Sequence, residues 1–280
     1  MDLLVFLAVL AAAVMHASWN VLVKLKLDRF LSLCLIQALM GLLGLVMLAV
    51  LPLPAAASLP YAITSGVLHL GYNLFLARSY RTGDLSQVYP IARGAAPLLT
   101  LAITAAFLHE EVDLLGGAGV AVLVLGIWVV SLMGQRGLRL DGLTLFFAIG
   151  TSVFVAAYTI VDGMGGRASG APLSYAAMVF VFDAVFLSIT AFAMRGPGIV
   201  RQVAPYWKTG LLGALLAAGA YGIAIWAMTK APIASVAALR ETSILVVMLL
   251  SMRVLNETVT LSRLAGAVLI VIGAGLIRFA

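Results

Sequence analysis

A single cysteine, Cys34, stands in an apolar run, so the chain can close no internal disulfide and can build no thiolate metal cluster. Charge is nearly as scarce: 10% of the 280 residues are charged, against about 25% in an ordinary soluble domain. There is no P-loop, no zinc-protease helix motif, no dinucleotide fingerprint and no Ser/His/Asp set on a plausible loop. ATP hydrolysis by this chain is therefore not expected, and neither a cofactor nor a metal is.

What the chain has instead is hydrophobicity, 64% of its residues, arranged in runs of 18 or more that recur to the end. Each run is roughly the length needed to cross ~30 Å of hydrocarbon. A net charge of +6 would hint at nucleic acid in a soluble protein. Here the basic residues lie singly or in small groups between apolar runs, which makes them topology signals and the surrounding partner membrane lipid. The first run lacks a positive leading region and continues unbroken to Val23, so it reads as a retained span rather than a cleaved signal peptide.

Ten helices are predicted, at about 2–23, 30–51, 59–80, 86–108, 114–133, 141–161, 173–194, 208–228, 232–254 and 261–279. Continuous hydrophobicity, rather than alternation with period two, argues against an outer-membrane barrel. Adding 147 to each number lays Glu110 on Glu257, Gly119 on Gly266, Gly126 on Gly273 and Arg93 on Arg240. Tyr72 to Arg81 falls on Tyr221 to Lys230 once a two-residue offset is allowed. The chain thus divides into two five-helix repeats, 1–136 and 137–280. An odd number of spans per repeat makes the second enter the membrane from the opposite side, as in many secondary transporters. The expected fold is all-α integral membrane, ten transmembrane helices forming two inverted-topology repeats around a central cavity.

Orientation follows from charge. Connections after odd-numbered helices hold Lys24, Lys26, Arg29, Arg78, Arg81, Arg136, Arg139, Arg195, Arg201, Lys208, Arg253 and Arg263. The other side holds Arg167, Lys230 and Arg278. By the positive-inside rule the odd-numbered loops are cytoplasmic and both termini periplasmic.

These features together resemble the drug/metabolite transporter superfamily, specifically its EamA-type ten-helix exporters. The resemblance rests on the two repeats, on Ser86-Gln-Val-Tyr-Pro-Ile-Ala-Arg-Gly-Ala-Ala-Pro97, on the acidic turn Glu110-Glu111 echoed by Asn256-Glu257, and on glycine-bearing helices 5 and 10. It covers essentially the whole chain and implies a multi-pass inner-membrane transporter, not an enzyme. Within the family the sequence is most similar to bacterial amino-acid exporters, including the aromatic amino-acid type. Family members are often drawn with both termini in the cytoplasm; the charges here indicate the reverse, and that orientation is kept. Small four-helix relatives dimerise to make what this chain holds in one polypeptide, so a monomer suffices, with a dimer left open.

A transporter needs polar groups that converge on one cavity, each helix supplying a stripe at helical spacing. Helix 1 offers His16, Trp19 and Asn20; helix 3 offers His69, Tyr72, Asn73 and Tyr80; helix 4 offers Tyr89, Arg93 and Thr100. Helix 6 offers Thr151, Tyr158 and Asp162, and helix 9 sets Arg240 beside Ser243. Tyr221 joins them as the repeat equivalent of Tyr72. Arg93, Asp183, Arg240 and Glu241 are the charges read as intramembrane, and Asp183 is the expected partner of an arginine. Arg240 and Glu241, about 100° apart on a helix, cannot share one direction, so at least one should pair across helices. Pro90 and Pro97 are expected to bend helix 4 where a gate moves. Asp113 is read as a helix cap, Trp207 as an interfacial anchor, and the glycines at 119, 126, 266 and 273 as a close-packing face.

The function expected is export of small metabolites, amino acids foremost, by alternating access. An alternative is a drug, nucleotide-sugar or organic-anion carrier of the same superfamily. An intramembrane lipid-modifying enzyme is the alternative of a different class, for which only His16, His69 and Asp183 could supply chemistry.

Overall fold

The computed structural model describes the backbone of residues 1–22, 29–82, 85–132, 142–255 and 260–280 and, within those, every side chain except those of residues 21–22, 29, 77, 79–82, 85–92, 132 and 250–255. Helices follow one another as α1 (Leu3–Leu22), α2 (Arg29–Val50), α3 (Leu59–Thr82), α4 (Leu85–Phe107), α5 (Leu114–Leu132) and α6 (Gly142–Ala168). The second half continues with α7 (Pro172–Arg195), the short α8 (Ile199–Val203), α9 (Trp207–Met228), α10 (Ile233–Arg240), α11 (Ser243–Leu255) and α12 (Leu261–Phe279). No strand occurs among the described residues. A backbone in hydrocarbon has no water to bond, and the helix satisfies its N–H and C=O groups within the segment.

Among the described residues, seven stretches, carried by α1, α2, α5, α6, α7, α9 and α12, are long and apolar enough to cross a membrane. The α3, α4 and α10–α11 segments, which carry more polar side chains, complete the ten-span arrangement. Apolar side chains also cover the outside: Leu45 is 54% exposed, Val50 75% and Leu114 91%. Helices apolar all round suit a lipid surround.

Packing follows the repeat. The equivalents are α1 and α6, α2 and α7, α3 and α9, α4 and α10–α11, α5 and α12. Contacts α3 with α6 and α4 with α6 have their counterparts in α9 with α1 and α11 with α1, while α2 packs on α7 and α5 on α12. The two halves therefore grip one another through the same set of surfaces, with α1, α4, α6 and α10–α11 around the centre.

The α5–α12 seam is built on the four glycines at seven-residue spacing. A Cβ on Gly126 would lie 2.7 Å from the Gly266 carbonyl oxygen, and one on Gly273 would lie 2.5 Å from the Leu123 nitrogen. These obstacles are backbone, which cannot yield without separating the helices. In lipid, where apolar burial drives little, such close approach supplies dispersion contact. Gly273→Val is expected to destabilise the protein by about 1–3 kcal/mol, whereas Gly275→Ala, whose added Cβ meets nothing within 4 Å, is expected to be near neutral. Thermal unfolding of the two variants in detergent makes the comparison.

Three elements depart from the sequence reading. Helix 6 runs to Ala168 rather than about residue 161. Its terminal glycines are held helical against their own propensity by packing, with other side chains filling the space a Cβ would take: a Cβ on Gly165 would lie 2.2 Å from Tyr175 Cζ, and one on Gly163 2.5 Å from Ile233 Cδ1. The link 195–208 contains α8 and a 3₁₀ turn at Ala204–Tyr206. Finally, helix 9 is not one helix. Between α10 and α11 the bonds tighten to three-residue spacing, Glu241 N to Ala238 O, Thr242 N to Leu239 O, Ile244 N to Glu241 O and Leu245 N to Thr242 O. The Thr242 hydroxyl also donates to the Leu239 carbonyl at 2.7 Å, the local competition by which Ser and Thr disturb a helix. A mid-helix 3₁₀ stretch often marks a hinge. Helix 4, where Pro90 and Pro97 are expected to bend the chain, stays helical from Leu85 to Phe107, and a proline kink is compatible with that continuity.

Candidate transport site

The interruption of helix 9 places Arg240 and Glu241 at the centre, and α4 brings Arg93 to meet them. Arg93 Nη2 lies 2.8 Å from Glu241 Oε1, and Nε donates to Oε2 at 3.1 Å, with both side chains about nine-tenths buried. The pair joins repeat one to repeat two. His16 on α1 stands beside it, Nε2 at 3.4 Å from Arg93 Nη2, and its other ring nitrogen accepts from Trp19 Nε1 at 3.3 Å. Asn20 turns back on its own helix, donating to the His16 carbonyl at 2.8 Å.

Arg240 is 9% exposed and forms no ion pair among the described residues. Its guanidinium lies over the ring of Tyr221, 5.1 Å from the centroid. Aromatic rings continue from there. His69 meets Tyr221 edge-on at 5.6 Å and stacks on Tyr158 at 4.0 Å, and Tyr72 meets Tyr158 edge-on at 5.8 Å. A narrow cleft runs between the arginines, lined by Arg93, Pro97, Thr100, Tyr158, Arg240 and Glu241, among others. It holds about 10 Å³ of clear space, roughly one water. A metabolite therefore enters only if the helices part.

Most of the sequence-predicted residues meet here: His16, Trp19, His69, Tyr72, Arg93, Tyr158, Tyr221, Arg240 and Glu241 are joined by direct contacts. Pro97 is buried in the cleft wall, Ser243 is buried at the start of α11, and Asn73 is half-buried on α3. The side chains of Tyr80, Tyr89 and Pro90, and the whole of Glu257, lie outside the described residues. Asp183 requires a correction. Its partner is not an arginine but the side-chain amide of Gln37 on α2, which donates to Oδ2 at 2.5 Å. The arginine that a carboxylate was expected to neutralise is held by Glu241, one helix nearer.

Asp162, a polar residue of the helix 6 stripe outside the four charges expected within the membrane, is almost completely buried. Tyr175 donates to its Oδ1 at 3.0 Å, and Tyr221 donates to Oδ2. Ser65 and Tyr175 are further polar groups that sequence reasoning passed over. The signal available for Asp162 was a carboxylate at the edge of an apolar run, followed by glycines that looked like a helix end.

At one end of the bundle a second tie crosses between the repeats. Glu110 pairs with Arg167 at 2.5 Å and accepts from Ile233 N, the first amide of α10, at 3.0 Å. Arg167 donates to the carbonyls of Met228 and Ala231 at 2.8 and 3.1 Å, the first at the last residue of α9 and the second just past it. An anion thus meets a helix start and a cation meets a helix end, both favourable to the helix dipole. Asp113 caps α5 as expected, accepting from Gly116 N at 2.8 Å. Trp207 is exposed at the start of α9, with the Lys208 ammonium 5.7 Å from its ring.

Among protein-family models, that of the EamA-like transporter family matches residues 3–132 and 142–279. The chain belongs to the EamA-like transporter family. As a member of this family, within the drug/metabolite transporter superfamily, it is a multi-pass membrane protein of a transporter lineage that handles small molecules in a lipid surround. The fold is also similar to that of a protein of known crystal structure, with a TM-score of 0.77 and 16% identity over 98% of each chain. Identity that low carries the fold alone. No curated protein matches the chain.

Proposed function

We propose that this EamA-like transporter exports small metabolites, amino acids foremost, across the bacterial inner membrane by alternating access between repeats 1–136 and 137–280. The observation that carries the proposal is Arg240: a buried guanidinium in the central cleft, resting on an aromatic ring and without an ion pair among the described residues. A planar guanidinium is suited to a carboxylate in two parallel hydrogen bonds. Glu241, next along the chain and lining the same cleft, offers a carboxylate to the substrate ammonium, and Tyr158 in the cleft wall, backed by Tyr72 and, through His69, by Tyr221, offers an aromatic surface to its side chain. The interrupted helix 9 supplies the moving element, since half-helices at membrane depth recur where transporters bind substrate.

Odd-numbered loops face the cytoplasm and both termini the periplasm in this reading, supported by the basic residues counted above. The Glu110–Arg167 tie then lies on the periplasmic side. A single chain contains both repeats and suffices for transport. An organic anion without an ammonium group is the second reading, since Arg240 serves any carboxylate. Counterflow in proteoliposomes with a panel of labelled amino acids, with and without a proton gradient, tests the proposal. Movement of at least one amino acid supports it; movement of none, with nitrogen-free organic anions carried instead, transfers the site to the second reading.

A further inference from the structure

Arg93 and Arg240 are repeat equivalents, yet they are held in different ways. Arg93 touches a carboxylate directly through two contacts with Glu241. Arg240 faces the π surface of Tyr221, and the far end of that ring donates its hydroxyl to Asp162. Asp162 in turn also accepts from Tyr175, whose ring packs over Gly165. One buried carboxylate on α6 thereby fixes rings from α7 and α9, and the α9 ring lies beneath the guanidinium of α10.

We infer that Asp162 is a positioning residue for substrate recognition: through Tyr221 it supplies Arg240 with a support and a counter-charge held one ring away, leaving the guanidinium edge free for the substrate's carboxylate. The inference rests on the proposed function and deepens it. The chemistry favours this division of labour. A carboxylate in direct contact would occupy the guanidinium donors, as Glu241 does those of Arg93. Without any counter-charge, a buried cation would be costly. A ring between them meets both needs, because a cation over an aromatic face is attracted by the ring quadrupole without using an N–H. A hydroxyl donating to a carboxylate makes the ring more electron-rich and keeps it from rotating away. Tyr221 also touches His69, which stacks on the cleft-lining Tyr158, so the same anchor steadies the aromatic wall.

Two substitutions separate this role from general stability. Asp162→Asn keeps the shape and can still bond both tyrosines but loses the charge; Tyr221→Phe keeps the ring and loses the link. Counterflow of labelled L-phenylalanine in proteoliposomes gives KM and Vmax for each, with thermal unfolding as a check on folding. Both variants are expected to raise KM about tenfold, the worth of one charge-assisted hydrogen bond, with Vmax within about twofold. The double variant should be no worse than either single one, since both cut the same connection. Unchanged KM in both variants, a fall in Vmax alone, or additive effects in the double variant would overturn the inference. Should wild type show no counterflow, or Arg240→Lys leave KM untouched, the functional proposal itself fails. An Arg240→Lys defect combined with normal Asp162→Asn and Tyr221→Phe kinetics would defeat only the positioning role.

Discussion

Arg240→Gln is expected to lower L-phenylalanine counterflow about a hundredfold, the cost of removing one member of a desolvated charge pair, while leaving thermal stability unchanged or slightly raised. The two halves of this expectation have one cause. Among the described residues no carboxylate is paired with Arg240, so its removal strands no buried anion in direct contact. What the folded protein loses is a buried cation held by an aromatic ring, and removing such a charge relieves desolvation. What the transport cycle loses is its carboxylate partner. Arg240→Lys should fall between, about tenfold down, because a point charge replaces a planar fork. Counterflow rates and unfolding midpoints measured on the same detergent preparations give both numbers. Loss of folding with loss of transport would mark Arg240 as structural.

Glu241→Ala should lose stability as well as transport. It strips the carboxylate that contacts Arg93 at 2.8 and 3.1 Å while Arg93 stays 7% exposed. Breaking one side of a buried ion pair typically costs about 3–5 kcal/mol. The penalty comes chiefly from the stranded charge, so Arg93→Met combined with Glu241→Leu should restore much of the stability. Transport would not return, because the double variant has no carboxylate beside the cleft for an ammonium. The unfolding midpoints of wild type, Arg93→Met, Glu241→Leu and the double variant form a thermodynamic cycle, and additivity across it would contradict the pairing.

Much of this architecture could be read from composition and spacing. Run length fixes the number of spans, and the 147-residue echo of Arg93, Glu110, Gly119 and Gly126 fixes the repeat. The α5–α12 seam follows because glycines seven apart share one face, and the structure sets them backbone to backbone. The interruption of helix 9 was hidden because no proline marks it. Its local cause is a four-residue polar block, Arg240-Glu241-Thr242-Ser243, inside an apolar run, where the Thr242 hydroxyl competes for the Leu239 carbonyl. Partner identity was harder still. Asp183 and Glu241 were both plausible partners for an arginine, and which one meets Arg93 depends on the rotation of α7 and α10 about their axes. That rotation is set by packing between repeats, which spacing within one helix does not encode. Asp162 was obscured for a related reason. Gly163, Gly165 and Gly166 look like a helix end until Ile233, Tyr175 and Ile225 are seen filling the space above them.

The Glu110–Arg167 tie gives the acidic turn a role beyond capping its own helix. It connects the 4–5 turn of repeat one to the start of α10, the half-helix that carries Arg240. A displacement of α10 that opens the cleft must therefore carry this tie with it or break it. The Arg167 side chain is 39% exposed and that of Glu110 only 9%, so water screens one partner while opening the tie requires the carboxylate to be rehydrated.

The central claim is that a buried guanidinium recognises the carboxylate of a small amino acid. It is tested most directly by competition in counterflow between L-phenylalanine and L-phenylalaninamide, which share a ring and an ammonium and differ in the carboxylate. Unlabelled L-phenylalanine is expected to compete with labelled L-phenylalanine and the amide to fail even at about a hundredfold higher concentration, a gap matching the loss of a charge-assisted pair. Equal competition by the two compounds would contradict it.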